Sequence, residues 1–360
     1  MKLRTIYLAS ARGVALIIVL LVITVLALLA GGFALSMKVE TTLARHTNHD
    51  AEFEWLGRSG VELARYAVGQ QLTVTSEPYD ALHQLWAGGR KVTNEVFRDI
   101  TLRDVELGPG KFTVEIVDQE RKLNINVADE TQLRLALAQV GLDAATTPEV
   151  ADSILDWIDP DELPRLNGAE SDYYLGLAVP INAKNGPLDD ITELLLIRGV
   201  VPEMVFGSAA VRGPEAVSVT GRPLTMQSKS APVYTNALAD IFTVTSARFV
   251  NINTASPLVL QIASGMDAPT AEAIVRQRAG PDGVDGTEDD TPFRSVRELM
   301  NVPGMNETAV GNAGRIFSVR SAVFEVRVVV DIGGVQRTAR ALLLRNNSPS
   351  DVRVMTFGWQ

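Results

Sequence analysis

The sequence predicts an α+β protein that consists of a long N-terminal transmembrane helix, an antiparallel sheet and a large helical domain inserted into that sheet. Three observations support this fold class. An uncharged apolar run begins at Val14. Segments that alternate apolar and polar residues occur near residue 111 and again after residue 323, and a repeated set of helical motifs lies between them.

The apolar run extends from Val14 to Met37 without a charged residue, and the leader before it carries Lys2, Arg4 and Arg12 but no acid. As a helix the run is roughly 36 Å long, which exceeds a hydrocarbon core of about 30 Å. Positive charge on the short side predicts a cytoplasmic N-terminus and a body beyond the inner membrane. A cleaved secretory signal has an apolar region of only about 7–15 residues. An uncleaved signal anchor is the alternative.

Composition excludes several function classes. The formal net charge is −10 and there are no cysteines among 360 residues, so disulfides, cysteine catalysis and cysteine zinc sites are impossible. An acidic body disfavours nucleic acid and anionic headgroups as partners. The three histidines give no Ser-His-Asp arrangement. We therefore predict no catalytic residues and no enzyme activity.

Strands are predicted on both sides of the helical region. Residues 38–75 continue the membrane helix outward, since apolar residues recur there at helical spacing without proline. Lys111–Asp118 alternates with a period of two and predicts a strand. Three more strands follow near the C-terminus, the first two joined by a Gly333-Gly334 hairpin: Phe324–Ile332, Val335–Leu344 and Val352–Phe357.

The helical region contains an internal repeat. Leu123–Asn126 (LNIN) returns as Val250–Asn253 (VNIN), and Pro187–Val200 returns as Pro292–Met305. Both later segments fit a capping box, through Asp190 with Glu193 and Ser295 with Glu298, and in both copies a proline opens a helix, at Thr147-Pro148 and Ala268-Pro269. Each copy is therefore predicted to be a small helical bundle.

Helix-hairpin-helix DNA-binding proteins contain similar bundles, and the segments NINTAS and PFRSVREL resemble the competence-type DNA receptor. A membrane-anchored DNA receptor is thus the alternative function. In those hairpins the backbone N–H groups of a G-x-G turn meet phosphate. The four turns here have no second glycine, and two carry Asp143 and Asp267, which would repel phosphate. We predict no nucleic-acid binding.

Two acidic loops are candidate calcium sites, because calcium takes about six to eight oxygen ligands. The alternatives are solvated loops with helix-capping aspartates and, with paired carboxylates, a glycoside hydrolase, although no aromatic sugar platform accompanies them. Neither loop has EF-hand spacing. The candidate ligands are Asp156, Asp159, Asp161, Glu170 and Asp172 in the first loop and Asp282, Asp285, Asp289 and Asp290 in the second.

Several segments together resemble the type II secretion minor pseudopilin K family: the leader ending in Gly13, KLNIN, VNINTA, DWIDPDE with GAESDYY, and KNGPLDDITELL. The resemblance covers nearly the whole chain. It implies cleavage between Gly13 and Val14 by the prepilin peptidase, N-methylation of the new terminus, and calcium in the helical domain. It also implies minor pseudopilins I and J, other pseudopilins and the inner-membrane secretion platform as partners.

The family's fold implies a pilin-like sheet with an inserted all-α domain of two helix-hairpin-helix-like (SAM-like) repeats. The predicted division of the chain is a leader at 1–13, a transmembrane helix at 14–37, its periplasmic continuation at 38–75, a pilin-like domain at 76–121 and 317–360, a first repeat at 122–211, a connector at 212–249 and a second repeat at 250–316.

Two residues depart from most pilin-like proteins. Val14 replaces the usual phenylalanine at the mature N-terminus, and Ile18 stands where most pseudopilins have glutamate. A carboxylate in the membrane costs roughly 2.5–3.5 kcal/mol and needs a partner, which in a filament is the amine of a neighbouring subunit. Ile18 has no such need. The sequence therefore predicts a subunit at the first position of a periplasmic filament, tethered to the inner membrane, that initiates and caps it.

Overall fold

The structure is a computed structural model that describes residues 12–89, 97–208, 234 and 236–360, with the backbone alone at 12–15 and 39–48. Residues 1–11 of the predicted leader and most of the predicted connector at 212–249 lie outside the described residues. The remaining segments form one long helix, a five-stranded sheet and a helical domain that includes two two-stranded ladders.

Helix α1 spans Arg12–Gln70 as 59 continuous residues. Among the described residues one stretch, Leu16–Lys38, is long and apolar enough to cross a membrane by length and composition, and its side chains are not buried. The second half packs through one face, on which Phe53, Leu56 and Val68 are buried. The helix ends at Gln70, before the predicted limit of 75, and a 3₁₀ turn over Gln71–Thr73 follows.

The structure describes both strands and helices beyond α1. The strands are β1 Val105–Leu107, β2 Gly110–Asp118, β3 Leu123–Asn124, β4 Phe242–Thr243, β5 Val250–Asn251, β6 Phe317–Ser318, β7 Val323–Ile332, β8 Val335–Arg345 and β9 Val352–Trp359. The helices are α2 Glu130–Val140, α3 Thr147–Ile158, α4 Ser171–Leu175, α5 Pro202–Phe206, α6 Leu238–Ile241, α7 Pro257–Ser264, α8 Ala268–Arg278 and α9 Glu307–Ala313.

The sheet has the order β1-β2-β7-β8-β9, with every neighbouring pair antiparallel. Alternate residues of β2 and β7, among them Val114 and Val326, are buried against α1, which explains the period of two in the sequence. Helix and sheet approach closely at Gly60, where an added Cβ would lie 2.5 Å from Cγ1 of Val328. The α+β class predicted from the sequence is confirmed.

The helical domain has a separate apolar core, which extends from Leu123 to Phe317. Two short parallel ladders, β3 with β4 and β5 with β6, link the start of each repeat to the segment that follows it. The repeat is visible in the structure, since α2 and α3 correspond to α7 and α8 and each pair precedes a 3₁₀ helix, at Ile191–Leu196 and Val296–Asn301.

One of the two predicted capping boxes is wrong. Asp190 and Glu193 form the complete box. Ser295 makes no side-chain cap, and the Glu298 carboxylate accepts a hydrogen bond from the backbone N–H of Arg294 (2.8 Å). At the first helix, therefore, both the N-cap and the glutamate side chains accept backbone N–H groups, whereas at the second helix the glutamate alone does so.

The helical domain leaves the sheet after β2 and returns at β7, two strands that pair directly, with Asp118 opposite Phe324. This end of the sheet lies beside the C-terminal end of α1, since Nη1 of Arg345 donates to the carbonyl of Val68 (3.1 Å). Arg320 adds a second link by donating to the carbonyl of Pro78 (2.9 Å), just beyond the helix. The insert is thus attached at the end of α1 opposite its apolar half.

A buried polar cluster holds this junction. Asp80 and Arg345, with side chains each 2% exposed, form an ion pair. Oδ2 of Asp118 accepts hydrogen bonds from Ser321 Oγ and Thr254 Oγ1, both 2.6 Å. Asn251 connects the two groups, because its Nδ2 donates to the carbonyl of Asp80 (3.1 Å) and to Ser321 Oγ (2.8 Å). Both apolar cores therefore meet at a shared set of polar contacts.

We expect Arg345→Met to lower the free energy of unfolding by about 3–5 kcal/mol, because it leaves a carboxylate buried without its partner. Urea unfolding of the full chain in detergent measures this. Arg353→Met is the matched control, since Arg353 is 67% exposed beside Asp351 and its pair contributes at most about 1 kcal/mol. Equal losses of stability in the two variants would contradict a stabilising role of the buried Asp80–Arg345 pair.

Stability should fall as pH rises through the neutral range. Burial, followed by the nearby Asp118 charge, raises the pKa of Glu120 to about 8. The folded state therefore keeps a proton that the unfolded chain loses near its ordinary pKa of about 4.5, and the stabilisation disappears between these values. Urea unfolding at a series of pH values should give a steeper decline for the natural chain than for Glu120→Gln. An equal slope in both chains would contradict the assignment of the pH dependence to Glu120.

Candidate functional site

The candidate site lies where α3 ends and α4 begins. Trp157, in the last turn of α3, packs edge-on against Tyr174 of α4 with ring centroids 5.0 Å apart. Tyr174 is fully buried, and its hydroxyl accepts the backbone N–H of Arg198 (3.2 Å). This aromatic pair brings the acidic segment after α3 back against the acidic segment before α4.

Three carboxylates converge between these segments. Asp159, Asp161 and Glu170 each offer an oxygen, and those oxygens lie within 4.8 Å of one another; in the part of the chain that the structure describes, this is the one such group of three metal-binding side chains. Glu170 is 3% exposed. Neither of its oxygens, nor Oδ1 of Asp159, has a hydrogen-bond partner among the described residues. Such oxygens suit a hard cation.

The electrostatics of the site match this geometry. Burial raises the pKa of Glu170 to about 7, and the charges of Asp156 and Asp159 add to the shift. Asn185 extends the site: its Nδ2 donates to the carbonyl of Asp161 (2.8 Å), and its buried Oδ1 has no partner within the described structure. The sequence prediction missed Asn185. The Asn185-Gly186 pair, which is typical of a tight turn, is the feature that could have indicated it.

Asp156 lies beside this group of three carboxylates and is satisfied differently. Its side chain is fully buried and accepts hydrogen bonds from Nη1 (2.7 Å) and the backbone N–H (3.1 Å) of Arg165. An added Cβ at Gly168 would lie 1.8 Å from Oδ2 of Asp156, so the loop needs glycine there. Arg165 also contacts Asp159. The sequence prediction missed Arg165 altogether.

The structure does not bring the other predicted ligands into this group. Asp172 is exposed on the first turn of α4. In the second loop, Asp285 pairs with Arg278 (2.7 Å), and Asp290 accepts the backbone N–H of Gly286 (2.8 Å).

Asp289 accepts hydrogen bonds from the Thr287 hydroxyl (2.7 Å) and from the N–H of Asp282 (3.0 Å). Asp289 and Asp290 are thus bonded within the loop and Asp285 to an arginine of α8, and the described residues 280–291 form no group of three that could hold a metal.

In two of the hairpin turns an aspartate side chain accepts backbone N–H groups. Gly141 and Gly265 end their helices with positive φ (107° and 71°), as the repeat requires. Asp143 accepts the N–H groups of Ala145 and Thr146, both 2.9 Å, and Asp267 accepts that of Thr270 (3.0 Å). These are N–H groups at the start of the following helix, which a DNA phosphate would otherwise meet.

The predicted processing and assembly residues lie on α1. Gly13 and Val14 are in its first turn, and Ile18 is 57% exposed on the apolar half. Nothing in this geometry tests cleavage at Gly13, which stays a prediction.

Comparison with known proteins gives two family-model matches. Residues 110–206 match type II secretion system (T2SS), protein K, and residues 245–316 match the helix-hairpin-helix motif. The first span contains β2 and most of the first repeat, and the second span contains the second repeat. The second match agrees with the bundle predicted from the repeated segments.

Relatives cover most of the chain. Type II secretion system protein K of Pseudomonas aeruginosa is 27% identical over 320 residues, 87% of this chain and 84% of the relative. That of Klebsiella pneumoniae is 24% identical over 359 residues, 96% of each. The match to a putative type II secretion system protein K of Escherichia coli K12 is 28% identical and spans 58% of that relative.

A solved structure shares the fold. The GspK-GspI-GspJ complex from the type 2 secretion system of enterotoxigenic Escherichia coli contains a chain that matches with a TM-score of 0.61 at 19% identity, over 88% of this chain and 99% of that one. The protein K family is a structural pseudopilin component of its secretion system. The chain is similar to the protein K family over most of its length, and these comparisons support a minor pseudopilin of type II secretion.

Proposed function

We propose that this minor pseudopilin initiates and caps the periplasmic pseudopilus as its terminal subunit. The observation that carries the proposal is the attachment of the helical domain beside the end of α1 opposite the apolar half. If the apolar half lies in the membrane, the insert projects at the membrane-distal end of the sheet. Another subunit stacked on that end would collide with it.

Ile18 supports the same position. It is an exposed apolar residue on the half of α1 that could span a membrane, where most pseudopilins place a carboxylate. A carboxylate there would have to be neutralised by the amine of a neighbouring subunit. A terminal subunit has no neighbour above it, so an apolar side chain costs it nothing.

The proposed partners follow from the family. The related solved structure is of a complex that contains GspI and GspJ, and we propose minor pseudopilins I and J as partners of this chain. We propose further that the prepilin peptidase cleaves between Gly13 and Val14, and that the chain contacts other pseudopilins and the inner-membrane platform. The leader would be cytoplasmic, α1 would cross the inner membrane once, and the body would be periplasmic.

We propose that calcium binds at Asp159, Asp161 and Glu170, with oxygen from Asn185. The support is the donor set: two buried carboxylate oxygens of Glu170 and one of Asp159 have no partner among the described residues. All the donors are oxygen, which calcium prefers, and Mg²⁺ is more reluctant to lose its water. A bound ion would offset the repulsion among these acids and hold the segments after α3 and before α4 together.

The capping proposal predicts a fixed copy number. In isolated pseudopili, quantitative mass spectrometry should find this chain, I and J in equal amounts, and their ratio to the major pseudopilin should fall as filaments lengthen. Filament length measured by electron microscopy on the same samples is the control. A constant ratio to the major pseudopilin at every length would contradict capping.

Processing predicts that Gly13→Leu leaves the full-length precursor, because a side chain at that position should clash in the peptidase site. Gel mobility in cells that contain the prepilin peptidase measures this. Val14→Leu keeps the glycine and should be trimmed normally. Trimming of both variants would remove the support for the cleavage site.

Calcium should raise the melting temperature of chelator-treated full chain in detergent by several degrees, since binding stabilises the folded state. Asp159→Asn combined with Glu170→Gln should abolish the increase. Asp289→Asn is the matched control, because Asp289 belongs to the other acidic loop and is bonded within it. No calcium-induced shift in the natural chain, or a loss of the shift in Asp289→Asn alone, would refute this site.

A further inference from the structure

Arg165 lies inside the candidate calcium site although it cannot be a ligand. It is in the loop between Asp161 and Glu170, and its Nη1 contacts both Asp156 and Asp159. Its side chain is 38% exposed, whereas that of Asp156 is fully buried. A guanidinium keeps its charge at every physiological pH. The loop thus carries its own cation to the carboxylates that it encloses.

The contact divides the Asp159 carboxylate. Oδ2 accepts the hydrogen bond from Arg165, while Oδ1 is buried without a partner among the described residues. Glu170, at the end of the loop before α4, has neither oxygen satisfied within the described structure. One positive group therefore serves the Asp156 and Asp159 edge of the cluster, and the buried oxygens of Glu170 are left for a bound ion to satisfy.

We propose that Arg165 is a tethered counter-ion that competes with calcium for Asp159 and thereby sets the affinity of the site; this rests on the calcium site proposed above. In the ion-free protein the guanidinium holds Asp156 and Asp159 together. A divalent cation that enters between Asp159, Asp161 and Glu170 takes over the Asp159 carboxylate. Arg165 then stays on Asp156, which remains buried and paired.

Competition between Arg165 and calcium predicts the direction in which the calcium affinity changes when the arginine is replaced. A like charge within about 4–6 Å disfavours a cation at a shared carboxylate, and for protons such neighbours change affinity by roughly tenfold or more. Removing the Arg165 charge should therefore tighten calcium binding while it weakens the ion-free fold. A purely structural role of Arg165 predicts the opposite for binding, because a disordered loop would misplace Asp161 and Glu170.

The test is a calorimetric titration of the chelator-treated full chain in detergent with calcium chloride. Arg165→Gln should lower the dissociation constant about tenfold and lower the melting temperature without calcium. Arg165→Lys, which retains the charge, should stay near the natural value. Arg297→Gln removes an exposed arginine from the second repeat and should change neither quantity.

A second pair of variants covers the case in which Arg165→Gln does not fold. In Asp156→Asn, Asp159 is the one carboxylate left to pair with the Arg165 guanidinium, so calcium should bind more weakly than to the natural chain. Glu162→Gln is the control, because it removes another nearby acid but no partner of Arg165. The loss of calcium affinity should be larger in Asp156→Asn than in Glu162→Gln. An equal or smaller weakening in Asp156→Asn would overturn the proposal.

The outcomes separate the two claims. If the natural chain binds calcium and Arg165→Gln binds it equally or more weakly, the counter-ion role is wrong and the site stands. If only Arg165→Gln binds calcium, the counter-ion role is supported and the calcium site of the natural chain is lost. If neither binds calcium, both proposals fail.

Discussion

The architecture depends on one topological constraint: a whole helical domain is inserted between two strands that pair directly. Because β2 and β7 are antiparallel neighbours, the chain must leave and return at the same end of the sheet, and Asp118 lies opposite Phe324 there. That end is next to the C-terminal end of α1. The insert is consequently confined to one pole of the molecule, and the buried contacts of Asp118, Asn251 and Arg345 fix it to the sheet.

The two acidic loops show that composition alone does not specify a cation site. Both loops follow the second helix of their repeat. The second loop uses its carboxylates as local acceptors, with Asp290 on Gly286 and Asp289 on Thr287. In the first loop, the packing of Trp157 on Tyr174 places Glu170 in a buried position where no donor of the described residues bonds to its carboxylate. The difference between a capped loop and a candidate site is therefore a matter of which oxygens lack a partner.

Much of the fold could be predicted from the sequence because local rules decide it. The alternation of apolar and polar residues predicted the strands around Phe324 and Val335, and the glycine pair predicted the hairpin between them. The recurrence of LNIN as VNIN revealed the repeat. The site was harder. Four of the nine candidate ligands lie in the second loop, and separating them from Asp159 requires hydrogen bonds that spacing does not encode. Arg165 and Asn185 escaped prediction because their contacts depend on how the loop closes on itself.

The position of the helical domain in the assembled filament tests the capping account most directly. The chain contains no cysteine, so Glu272→Cys on α8 gives a single exposed label site in the insert, and gold-labelled pseudopili can be imaged by electron microscopy. The account predicts label at one end of each filament and none along the shaft. Label distributed along the shaft would show that the insert permits stacking and would contradict the terminal position.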